Sequence, residues 1–145
     1  MNIFLLVRHN YVAHPRNPSG HITRQLSNEK QIVDELKMKF QNKPIVRFSV
    51  NHFEEMSLEE QLKIIVETDI FVGMHGAGLT HVIFMKSNRV LIELHPNDVG
   101  ATPHFELLAS INHVNFHHCS ITNATEKTAQ TIFDCINEKL HEICP

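Results

Sequence analysis

Runs of one charge sign, long apolar stretches and paired cysteines are all missing from this sequence. No lysine- or arginine-rich run occurs in its 145 residues, and the formal net charge is -3 with neutral histidines. That balance, with a pI near 6.4, excludes a general binder of nucleic acid or of a membrane surface. Any anionic ligand must then be held locally. No apolar run approaches the ~18 residues of a membrane span. The opening run at residues 3–7 is too short for the hydrophobic part of a signal peptide, and Arg8-His9-Asn10 follows it in place of a small-residue cleavage site. It reads as a strand. Cys119, Cys135 and Cys144 are odd in number and form no C-x-x-C pair, so the spacing indicates neither a zinc ribbon nor a disulfide framework and leaves the redox compartment open. Cys135 and Cys144 read as packing or solvent-edge residues. No Ser-His-Asp or Cys-His arrangement can be assembled, since Ser57 is explained as a helix cap.

Glycine is also sparse, yet three of the five fall at positions 73, 76 and 78. The stretch Ile70-Phe71-Val72-Gly73-Met74-His75-Gly76-Ala77-Gly78-Leu79 predicts a strand, a tight corner and a helix starting near Ala77 with Leu79, Val82, Ile83 and Met85 on its buried side. Glycines there permit positive φ and close approach of a ligand to backbone N–H groups. Those groups, at the positive end of a helix dipole, suit a phosphate or carboxylate. The spacing G-x-x-G-x-G matches neither the dinucleotide fingerprint nor the P-loop. A plain βα corner with close packing explains the glycines equally well. His75 tips the balance, because a polar ring at the carboxyl end of a strand lies where open α/β sheets bind ligands.

Taken in order, residues 3–8 form a strand that delivers Arg8 to its end, and a polar loop with Pro15, Pro18 and Gly20 follows over 9–24. Asn28, with Gln31 three residues on, predicts a capped helix over 28–41. Residues 45–50 read as the second strand. Ser57-Leu58-Glu59-Glu60 is a capping box for a helix burying Leu58, Leu62, Ile65 and Val66. Beyond the corner come a strand at 89–94, a helix presenting Phe105, Leu107, Leu108 and Ile111, a strand at 114–118, and a final helix with an Asn123-x-x-Glu126 box. Asn123-Ala124-Thr125 is also a glycosylation sequon, relevant only in a secretory lumen. The alternation predicts a single α/β domain over 1–145, a Rossmann-like parallel sheet with helices on both faces. Arg8, His75 and Glu93 then share the carboxyl edge of the sheet.

Each candidate carries an ordinary reading as well. Arg8 and Arg24 can grip a phosphate through bidentate hydrogen bonds or be solvated surface arginines. Glu93 can accept from ribose hydroxyls or be a surface carboxylate. Twelve histidines invite a metal, but His117 and His118 point to opposite faces of a strand and no H-E-x-x-H or C-x-x-C frame exists, so no metal site is expected.

Two blocks carry a resemblance. They are L-E-E-Q-L-K-I-I-V-E-T-D-I-F-V-G-M-H-G-A-G-L-T-H-V-I-F-M from Leu58, continued by V-L-I-E-L-H-P to Pro96, and Arg24-Gln25-Leu26-Ser27-Asn28-Glu29 ahead of a helix. Together they resemble the family 61 glycosyltransferases over most of residues 3–96, and the resemblance fades beyond about residue 100. It implies the C-terminal, donor-binding half of a GT-B enzyme. Arg8, Arg24 and the corner His75, Gly76, Ala77, Gly78 and Leu79 would bind the diphosphate and uridine of a UDP-sugar, with Glu93 at the ribose. It further implies inverting transfer, without a metal or other cofactor, of N-acetylglucosamine to serine or threonine of an acceptor glycoprotein in the endoplasmic reticulum or Golgi lumen. The general base would lie in an N-terminal half that this chain does not contain, so the chain is expected to be a piece of a longer enzyme. The alternative is a non-catalytic nucleotide-binding or interaction module.

Overall fold

The computed structural model describes residues 1–12, 17–96, 102–122 and 127–143. The predicted alternation is present: β1 (Asn2–Val7), α1 (Glu29–Gln41), β2 (Arg47–His52), α2 (Leu58–Glu67), β3 (Ile70–Met74), a 3-10 helix (Ala77–Phe84), β4 (Val90–Pro96), α3 (His104–Ile111), β5 (Asn115–Ile121) and α4 (Thr128–Ile143). All five strands are parallel, in the order β2-β1-β3-β4-β5. No helix of the described residues is long and apolar enough to cross a membrane.

Successive strand residues face opposite ways, so the inner strands β1, β3 and β4 each feed two cores. Ile3, Leu5, Val72, Ile92 and Leu94 pack with Leu36 and Phe40 of α1 and Ile132 and Ile136 of α4. Phe4, Leu6, Phe71 and Leu91 pack with Ile65 of α2, Leu79 and Val82 of the 3-10 helix, and Phe105 of α3. The chain steps outward from β1 to β2, then crosses back over to β3. With crossovers of one hand, that reversal places α2 and α3 on the face opposite α1. The reversal lies between β1 and β3, and it opens a crevice at their carboxyl ends.

Several local expectations are corrected. Asn28 takes a left-handed backbone (φ 54) and makes no side-chain cap; its carbonyl accepts from the Ile32 N–H instead. The Ser57–Glu60 box is formed as expected, with the Ser57 hydroxyl accepting from the Glu60 N–H and the Glu60 carboxylate from the Ser57 N–H. On α2 only Ile65 is fully buried, while Leu58 and Val66 are exposed; on α3, Leu107 and Ile111 are likewise exposed. The helix after the corner is 3-10 rather than α, and its buried residues Leu79 and Val82, with Met85 just beyond its end, recur every third position. That is the period of a 3-10 helix, and it leaves Ile83 exposed. Cys119 of β5 and Cys135 of α4 form a disulfide, against the reading that no disulfide was indicated. Pro15, the Asn123 box and sequon, and Cys144 lie outside the described residues.

Candidate functional site

The last residues of β1 and β3 set the site. Arg8 follows Val7 directly, and His75 follows Met74. The Arg8 guanidinium crosses the crevice, donating from Nη1 to the His75 carbonyl at 3.1 Å and to the Thr23 carbonyl at 3.3 Å. One side chain thereby ties the loop before α1 to the glycine corner. Burial holds the Arg8 guanidinium below its ordinary range; Tyr11 raises it, Arg24 lowers it again, and Glu54 raises it. Arginine stays charged regardless, so an anion placed here would gain from a partly dehydrated cation. Arg24 is close enough to repel Arg8, and its backbone is left-handed (φ 58), a costly conformation for a non-glycine residue. Neither arginine is salt-bridged among the described residues. Two close guanidiniums, with Glu54 acting only at a distance and no salt bridge to either, are an arrangement that an anion would relieve.

The corner glycines serve space, not turn conformation. The glycine with positive φ among the described residues is Gly20, so the expected left-handed corner is corrected. At Gly76 a Cβ would lie 2.4 Å from Arg8 Nη1, and at Gly78 it would lie 2.5 Å from Leu6 Cδ2. Gly76 is therefore the gap through which Arg8 reaches across, and Gly78 lets the 3-10 helix settle on β1. The His75 N–H bonds to the Leu94 carbonyl, continuing the sheet ladder, and the Leu79 N–H bonds to the Gly76 carbonyl. The N–H groups of Ala77 and Gly78 precede that first helical bond and point out of the helix start. Leu79, expected at the ligand, is fully buried in the core, with its N–H also engaged.

Glu93 is corrected too. It is 1% exposed, and its Oε1 meets His75 Nδ1. A carboxylate so enclosed orients the His75 ring and has no open face toward a ribose. Beside the crevice, His9 and His52 stack at 3.7 Å and share Glu29, through His9 Nε2 at 2.9 Å and His52 Nε2 at 3.1 Å. This group was missed, although the parallel pairing of Val7 with His52 brings the ends of β1 and β2 together. His81, within the 3-10 helix, has its pKa lowered by burial, partly offset by its bond to the Gly78 carbonyl. Surface grooves also lie along α1 and beside Leu140, and these hold none of the corner residues.

The model for Glycosyltransferase 61 matches residues 2–92, which include Arg8, Arg24, the corner and the first three residues of β4. The chain belongs to this family. Among its relatives, the beta-1,2-xylosyltransferase of Oryza sativa subsp. japonica is 30% identical over 139 residues, covering 95% of this chain and 25% of that protein. The Arabidopsis thaliana beta-1,2-xylosyltransferase is 28% identical over 98% of this chain and 26% of its own length. Similarity thus extends past residue 100, where it was expected to fade. The EGF domain-specific O-linked N-acetylglucosamine transferase of Gallus gallus is 37% identical over 73 residues, half of this chain and 13% of that one. This family 61 chain spans about a quarter of the length of its xylosyltransferase relatives. In three dimensions it is similar to the flavodoxin-like domain of a Synechococcus sp. protein, with a TM-score of 0.59 at 10% identity and 98% and 99% of the two chains covered. At that identity the likeness speaks for the fold alone.

Proposed function

We propose that this chain is the donor-binding half of a family 61 glycosyltransferase and holds the diphosphate of a UDP-sugar at the β1/β3 crevice. The observation that carries the reading is the Arg8 guanidinium laid across the corner with Arg24 beside it. The pyrophosphate would take the free edge of Arg8, the Arg24 side chain and the N–H groups of Ala77 and Gly78. As the sugar departs, charge grows on that diphosphate, and fixed cations and dipoles there lower the barrier. His75, oriented by Glu93, would contact the nucleotide; Gly76 and Leu79 act by shaping the corner. The acceptor, a glycoprotein, and the general base belong to parts of the longer enzyme. N-acetylglucosamine is the first sugar to try, since the EGF domain-specific relatives show the higher identity per aligned residue; xylose is the competing donor. The Cys119–Cys135 disulfide supports a secretory lumen, where such bonds persist.

The test is calorimetric titration of the chain with UDP, using ADP and UMP as comparisons and Arg8→Ala as the variant. The expected result is saturable binding that prefers UDP over UMP and ADP and weakens at least about tenfold in the variant, as for loss of a charge-assisted hydrogen bond. A folded chain that ignores UDP would overturn the donor reading, and equal binding of ADP would favour a nucleotide-binding module of another kind.

A further inference from the structure

His95 has no place in the donor reading, yet its polar ring is buried. It is 2% exposed, near the end of β4. Its Nδ1 lies 3.1 Å from the Pro96 carbonyl. A carbonyl only accepts, so Nδ1 carries the hydrogen and Nε2 is left with a bare lone pair. That Nε2 is buried and has no hydrogen-bond partner among the described residues. A buried acceptor without a donor loses its hydration with nothing in exchange, and something must offset it.

The surroundings point to a cation. Glu93 and His95 are two apart on β4 and so face the same way. The register pairs Gly73 with Glu93 and Met74 with Leu94, so one step further sets His75 beside His95. Their rings are 5.6 Å apart, centroid to centroid. Each of the three residues offers one donor atom, and those atoms lie within 4.8 Å of one another. Two imidazole nitrogens and a carboxylate oxygen are the donor set of three-ligand zinc sites. The Nδ1–H bond to a backbone carbonyl is the support that fixes the tautomer of a metal-bound imidazole.

We infer that His75, Glu93 and His95 form a site for a first-row divalent cation, zinc by preference, with its remaining position toward His75, whose side chain is 15% exposed while that of Glu93 is 2%. The site was invisible to sequence spacing because sheet register builds it from two strands. Bond lengths near 2.0–2.2 Å require the His75 and Glu93 side chains to separate, the ion replacing the hydrogen bond they now share. It uses two residues of the donor corner but stands on this geometry and not on the nucleotide reading. The described residues offer a second grouping, His9, His52 and Glu55. There both His9 and His52 already bond to Glu29, so it is the weaker candidate and a built-in control.

The experiment uses the untagged chain, stripped with chelator and titrated with zinc chloride, with metal content measured after gel filtration. One equivalent is expected to bind and be retained, and Glu93→Gln and His95→Phe should each weaken it at least about tenfold, while His52→Ala should not. Circular dichroism of each variant is read first, and if His95→Phe does not fold, the near-isosteric Glu93→Gln carries the comparison. Absence of stoichiometric zinc in the folded wild-type chain overturns the inference. So does zinc that survives Glu93→Gln and disappears in His52→Ala. Titration of the stripped chain with UDP, run alongside, reads the donor reading separately: UDP binding without zinc leaves that reading intact whatever the zinc result.

Discussion

Gly76 and Gly78 sit two residues apart, and a methyl group at each would meet a different kind of neighbour. At Gly76 it meets the tip of Arg8, a long and half-buried side chain with room to swing; at Gly78 it meets Leu6, 4% exposed in the core, with Phe53 behind it. Gly76→Ala should therefore leave the melting temperature within about 2 °C while expelling Arg8 from the crevice, weakening UDP by roughly tenfold or more. Gly78→Ala should do the reverse. Overpacking costs about 1–3 kcal/mol, or roughly 3–10 °C in a chain of this size, with UDP affinity retained in the folded fraction. Calorimetry and a thermal melt on each variant separate the two. Equal effects of both substitutions would mean that Arg8 does not depend on the gap at Gly76.

Elements were legible where the physics is local. Continuous apolar runs marked the strands, and the Ser57 box marked the start of α2 because its partners are three residues apart. Asn28 misled because a capping residue type does not fix its own backbone, and here that backbone is left-handed. Arg8 and His75 could be named because strand ends in a parallel sheet converge, and Arg24 because it lies in the loop just ahead of a helix. The enclosure of Glu93, the placing of His75 beside His95 and the His9–His52 stack depend on register between strands, which the sequence does not display. The Cys119–Cys135 bond was illegible for the same reason: an odd cysteine count says nothing of which strand lies beneath which helix. It joins the edge strand β5 to α4 across 16 residues, and closing a loop of that size stabilises by about 3 kcal/mol. Cys135→Ser should lower the melting temperature by roughly 6–12 °C, and dithiothreitol should do the same to the wild type and nothing further to the variant. UDP affinity should stay within about twofold, since β4 separates β5 from β3. A wild-type melt indifferent to reductant would count against the bond.

At the scale of the whole molecule, one sheet carries two cores that share no side chain. Leu36 of α1 belongs to one and Ile65 of α2 to the other, both 0% exposed. Truncating either to alanine removes buried methyl groups and leaves a cavity, at a cost of about 2–5 kcal/mol. Because the sheet backbone lies between them, the two costs should add within about 0.5 kcal/mol. Their sum then approaches the roughly 5–15 kcal/mol available to a small domain, and the double variant should be largely unfolded in buffer. Each single variant should still unfold in urea in one transition with an unchanged slope, since neither core has a sheet of its own to retain. UDP at 100 times its dissociation constant should raise the stability of both singles equally, by about 2.7 kcal/mol, because the carboxyl edge of β1 and β3 borders both faces. A biphasic melt, or a UDP effect confined to one variant, would show that the two faces fold apart and that the crevice belongs to only one of them.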